Sequence, residues 1–209
     1  MATSRRSWAG IALDERRRVR REQLLAAGVE VLGAADGAGG GVRAVCRAAG
    51  LTERYFYESF TDRDGFVREV YAHVGARARD VLVEAVDGAE PSYRAESAVR
   101  AFVSLMVDEP AMGRMLLLAP LREPAISGRG VELAPVFVAL VSAQLTAIDD
   151  DAVRTMVAVG LVGALTSLFM GYLDGAVDVP RETLIRHCVT LLERAGHDAH
   201  RSAGPAGAG

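Results

Sequence analysis

Apolar residues in this chain recur at three- and four-residue spacing nearly throughout, and no stretch alternates with the two-residue period of a strand. A chain patterned this way buries itself by packing helix on helix, so the expected fold class is all-α. The first stripe holds Leu24, Leu25, Gly28, Val31, Leu32 and Ala35, and it ends in the glycines at 37–41 (only position 38 is not Gly), a loop that no helix tolerates. Two short helices follow, about 42–49 and 53–60, separated by Gly50-Leu51-Thr52. Gly50 suits the left-handed residue that ends a helix, and Thr52 suits the N-cap of the next. A long helix starts at Thr61 or Asp62 and carries Val67, Val70, Tyr71, Val74, Ala78, Val81 and Ala85 for about seven turns. Further helices are expected near 93–107, 110–118, 131–147, 150–173 and 180–195.

The 209 residues are 50% hydrophobic and 24% charged, enough for a sizeable core in one ordinary domain plus a smaller one. Their charge is uneven. Residues 1–63 carry 11 Arg against 8 acids, whereas 64–209 carry 13 Arg against 19 acids. A basic N-terminal third on an otherwise acidic protein implies that this third meets a polyanion. Arg5 and Arg6 are placed to enter a minor groove, and Arg16, Arg17, Arg18, Arg20 and Arg21 to track phosphates.

Several chemistries drop out. The sequence has no lysine, which excludes a Walker-type phosphate loop and a Schiff-base lysine. Cys46 and Cys188 fall on apolar stripes and read as packing residues, which leaves no disulfide framework and points to a reducing, cytoplasmic compartment. No paired nucleophile and base and no clustered ligand set is visible, so no catalytic site, cofactor or metal is expected and an all-helical enzyme is disfavoured. The 18 uncharged residues from Met156 to Leu173 reach the lower limit for a membrane span. Gly160, Gly163, Gly171, Thr166 and Ser167 within them, and no flanking basic cluster, favour a buried helix over a membrane-associated protein.

Two short helices joined by a Gly-containing turn form a helix-turn-helix, whose second helix fits the major groove. Arg43 and Arg47 lie on the outer side of its first helix. Thr52 offers a hydroxyl and helix-terminal N–H groups to a phosphate. Arg54 and Tyr55 come early in the second helix, where side chains reach base edges. Tyr57 presents its hydroxyl, and Arg63 opens the next helix. Over residues 20–71 the chain resembles the DNA-binding domain of the tetracycline-repressor-like (TetR) family of bacterial transcription regulators. The resemblance is carried by residues 42–52, by Tyr55-Phe56-Tyr57-Glu58-Ser59-Phe60, by Asp62-Arg63-Asp64 and by Phe66.

The resemblance implies phosphate contacts from Thr52, Tyr57 and Arg63, and base or groove contacts from Arg54 and Tyr55. Two positions depart from the family. Gly41 stands where Ser or Thr is common, so that side-chain contact is absent. Glu53 stands where a basic or small residue is common; it either accepts from cytosine N4 or turns away from the backbone. The implied organisation is a disordered basic arm at 1–13, a three-helix helix-turn-helix domain at 14–61, a helical ligand-binding and dimerisation domain at 62–196, and a disordered tail at 197–209.

The implied function is that of a ligand-responsive regulator, a repressor released from a pseudo-palindromic double-stranded DNA operator by a small, largely apolar effector. The last two long helices are expected to pair with those of a second copy in a four-helix bundle. Phe102, Met106, Met112, Met115, Phe137, Phe169 and Tyr172 are the expected lining of the effector cavity.

Overall fold

The computed structural model describes residues 3–35 and 40–202, with the side chains of 3–12, 131 and 196–202 left aside. No strand occurs among the described residues. The α-helices are α1 (Thr3–Leu32), α2 (Val42–Ala49), α3 (Glu53–Ser59), α4 (Arg63–Asp87), α5 (Arg94–Asp108), α6 (Pro110–Leu117), α7 (Arg129–Ser142), α8 (Asp151–Leu173) and α9 (Arg181–Ser202). Short 3-10 turns at Pro91–Tyr93, Ala119–Leu121 and Pro124–Ile126 connect some of them.

Local chemistry sets the boundaries. Gly50 ends α2 at φ +65°, and the N–H groups of Gly50 and Leu51 return to the carbonyls of Arg47 and Cys46. Asp62, rather than Thr61, caps α4, its carboxylate accepting from the Gly65 N–H at 2.6 Å. Asp150 caps α8 in the same way through Ala152 and Val153. Thr52 sits at the N-cap of α3, but its hydroxyl makes no cap hydrogen bond.

Three elements differ from the sequence expectation. Helix α1 extends back to Thr3 where a disordered arm was expected through residue 13. The apolar stripe begins only at Leu24, yet residues 3–23 contain no proline and only one glycine, Gly10, so backbone propensity continues the helix beyond its packed part. Helix α7 stops at Ser142 rather than 147, where backbone turns at 143–148 take over. Helix α9 runs to Ser202, past the expected end of order at 196, and the rest of the expected tail lies outside the described residues.

Packing does not divide at residue 61. One apolar cluster runs from Leu24 and Leu25 on α1 through Val45, Phe56, Phe60 and Phe66 to Met106, Met115 and Ile126. The rings of Phe56, Phe60 and Phe66 meet at centroid distances of 4.8–5.4 Å and tie α3 to the start of α4. Helix α4, about 37 Å long, packs against α1 at one end and α5 and α7 at the other. A second cluster joins α5, α8 and α9 around Val103, Phe169 and Cys188, and a third joins α7 and α8 around Ile148, Ala158 and Leu161.

Candidate nucleic-acid interface and effector cavity

Helix α3 buries Phe56 completely and leaves its opposite side outward. On that side Tyr57 is 58% exposed, and Thr52, Glu53, Arg54 and Glu58 are exposed. Arg43 and Arg47 of α2 are exposed nearby. The face therefore gathers most of the residues the sequence assigned to DNA, but their charges partly cancel. Arg43 Nε donates to Glu53 at 3.1 Å, and Arg54 Nε donates to Glu58 at 3.0 Å. Glu53 is thereby turned toward Arg43. Tyr55 is half-buried, with the Arg20 guanidinium 4.4 Å from its ring centre, so it is stacked beneath a cation of α1. Arg21 lies over Phe60 at 5.1 Å and pairs with Glu69 on α4. Arg20 and Arg21, expected to track phosphates, also help to pin α1 to the motif.

Arg63 has a partner that the sequence reading did not include. Its two terminal nitrogens donate to both oxygens of Glu123 at 3.0 and 2.7 Å. That bidentate bond holds the Glu123 carboxyl below the usual carboxylate range and raises the guanidinium further. Glu123 lies sixty residues on, between two 3-10 turns of the helical domain, and no local sequence signal marks the pairing. A second tie runs parallel to it, where Arg114 Nε on α6 donates to the Gly33 carbonyl at the end of α1, 2.6 Å away.

The helical domain holds a cavity of about 1770 Å³ that is partly open to solvent, with exposed residues such as Leu121 and Val159 at its margin. Phe102, Phe137 and Phe169 line it as expected from sequence. Met106, Met112 and Met115 do not, because they face the α1–α4–α6 core and are almost fully buried there. Tyr172 packs against the α5–α8–α9 cluster instead. Tyr71, Arg94, Leu133, Gln144 and Thr166 line the wall and were not anticipated. Burial raises the Tyr71 phenol to about 12, with the Glu132 charge adding to the effect, so it stays neutral near pH 7. Cys188 is likewise raised, to about 11, by burial, and burial raises Cys46 too; neither is a thiolate at neutral pH. Among the described residues no group of three His, Cys, Asp or Glu side chains comes together to hold a metal.

No family model matches the sequence. An uncharacterised HTH-type transcriptional regulator of Mycobacterium tuberculosis, found in two strains, is 26% identical over 190 residues, covering 89% of this chain and 91% of that one. A TetR-like transcriptional regulator from Rhodococcus sp. RHA1 superposes with a TM-score of 0.67 at 19% identity, covering 90% of this chain and 97% of its own. The fold is TetR-like. A multidrug-binding protein, EbrR, solved with imidazole, shares this TetR-like fold at a TM-score of 0.60 and 20% identity, over 82% of this chain and 94% of its own. In this TetR-like arrangement α2 and α3 form the helix-turn-helix, α4 is the connection, and the cavity lies within the helical domain.

Proposed function

We propose that this chain is a dimeric, ligand-responsive transcription regulator that binds a pseudo-palindromic operator and is released by an effector held in the helical-domain cavity. The observation that carries this reading is the outward face of α3, where Thr52, Arg54 and Tyr57 stand clear of the protein beside Arg43 and Arg47. Two such helices, one turn of duplex apart, read successive major grooves. The similarity to HTH-type regulators along nearly the whole chain supports the same conclusion.

The control element is the connection between cavity and motif. Pro120 and Leu121 line the cavity, and Glu123 follows two residues later on Arg63 at the head of α4. An effector that shifts the 120–123 segment changes where Arg63 points, and with it the seat of the recognition helix. Driving the operator from nearly full to nearly empty requires a differential affinity of about 5 kcal/mol.

The test is selection of duplexes from a random pool by the full chain, followed by gel shift at low and moderate salt. A recovered inverted repeat with tight, salt-dependent binding is expected. Recovery of no common sequence, with equal affinity for all duplexes, overturns the reading. Within the selected site, Tyr57→Phe should weaken binding to all sequences alike, whereas Arg54→Ala should relax preference at particular base pairs by about 1–3 kcal/mol each.

A further inference from the structure

We propose that the cavity of the helical domain takes a hydrophobic monocarboxylate, its acid group held by Arg94. This deepens the ligand-responsive reading above by naming the class of effector, and it rests on that reading only for its consequence, not for binding itself.

The wall is overwhelmingly aliphatic and aromatic, contributed by residues such as Val99, Phe102, Leu133, Phe137 and Phe169. At about 1770 Å³ it exceeds the usual size of a small-molecule site and accommodates an extended apolar body. Into this wall the first turn of α5 places Arg94. Arg94 is half-buried, and its Nε is buried with no hydrogen-bond partner. Its guanidinium forms no ion pair with any described residue. Three arginines elsewhere in this domain are engaged: Arg100 with Glu96 and Glu182, Arg181 with Asp108, Arg154 with Asp151. Glu96, two residues from Arg94, is thus taken by Arg100.

A buried donor left unmade costs about 1–3 kcal/mol, and more when it is charged. A group that persists in that condition at the wall of an apolar cavity is matched to something that enters the cavity. The planar guanidinium presents paired donors whose spacing fits a carboxylate. The charge count favours a monoanion over a phosphate ester. Besides Arg94 the wall carries Arg194 and Glu193, both exposed on α9, and the Glu193 carboxylate would repel a dianion. Neutral lipophiles fill the wall but leave Arg94 unmatched, and lipophilic cations are repelled by it.

Calorimetric titration of the full chain, without DNA, compares decanoate, decanol and decyltrimethylammonium. Decanoate should bind at least about tenfold more tightly than decanol, and the cation most weakly. Arg94→Gln should abolish the preference for decanoate while leaving decanol affinity unchanged, and Arg94→Lys should retain part of it. Equal affinity for acid and alcohol, no binding of decanoate, or an undiminished preference in Arg94→Gln overturns the proposal. The wild-type comparison stands even where a variant folds poorly. Gel shift on the selected operator separates the two readings. A decanoate preference without DNA binding overturns the regulator and leaves the carboxylate site, and DNA binding without that preference does the reverse.

Discussion

A guanidinium that gives both terminal nitrogens to one carboxylate has little left for a phosphate, so in the proposed regulator Arg63 is where operator contact and the Glu123 tie would compete. Glu123→Gln should free it. Gel shift should then show tighter binding to all duplexes and a steeper salt dependence, whereas Arg63→Gln should give weaker binding and a shallower slope. The same substitution has a pH signature. The Glu123 carboxyl is held below its ordinary value by the Arg63 hydrogen bond, against a smaller opposing effect of burial. A carboxylate depressed in the folded state contributes stability that is present above its unfolded pKa and lost as pH falls through the folded one. Glu123→Gln should therefore be less stable than wild type by about 1 kcal/mol at neutral pH. Denaturant unfolding curves should show that gap closing in acid; a gap independent of pH would remove the ion pair as its cause. The sequence revealed Arg63 as a DNA-facing candidate because its place at the head of a helix is local information. It gave no sign of Glu123, because a partner sixty residues away is chosen by tertiary packing.

At the scale of elements, α1 packs tightly against α4 at Gly28. A Cβ there would lie 2.5 Å from Phe66 Cζ and 2.7 Å from Val70 Cγ2, nearer than van der Waals contact allows. Phe66 is itself locked between Phe56 and Phe60, so it has little room to give. Gly28→Ala should cost about 1–3 kcal/mol by overpacking, outweighing the helix propensity alanine adds. Because the strain falls where the motif meets α4, operator affinity should fall further than the lowered melting temperature accounts for. Thermal melting paired with gel shift below the transition checks this. Elements of this kind were largely legible: Gly50, Thr52, Pro110 and the aspartate before α8 mark their ends chemically, and the boundaries fell within a few residues. The reading failed where the pattern was silent. Residues 3–13 carry no apolar stripe, so the start of α1 could not be read from burial. The methionines of α5 and α6 lie on apolar helices whose sequence does not say which neighbour each side meets, and they turned out to face α1 and α4 rather than the cavity.

At the scale of the whole molecule, α8 poses the question of what a single chain leaves uncovered. The stretch read as a buried helix rather than a membrane span is covered on one side only, where Ala158, Leu161 and Phe169 pack inward. On the other side Met156 is 67% exposed and Val159 54%, and a Cβ at Gly160 or Gly163 would meet nothing. Met156, Val159, Gly160 and Gly163 fall at helical spacing on one face, and the small residues let a second backbone approach. A second copy of α8, crossing about the molecular two-fold, would bury this face and set the spacing of the two recognition helices. Met156→Arg, on this face and outside the cavity lining, should leave the fold intact, since the side chain is solvent-exposed within one chain. It should convert the proposed dimer to monomer in sedimentation velocity. Because each half-site contact is retained but the two are no longer linked, operator affinity should fall by at least about a hundredfold, while the weak binding to a single half-site stays unchanged. A variant that sediments as wild type, or one that becomes monomeric and still binds the full operator as tightly, would show that α8 does not pair the recognition helices. The face would then have to be covered by something other than a second copy.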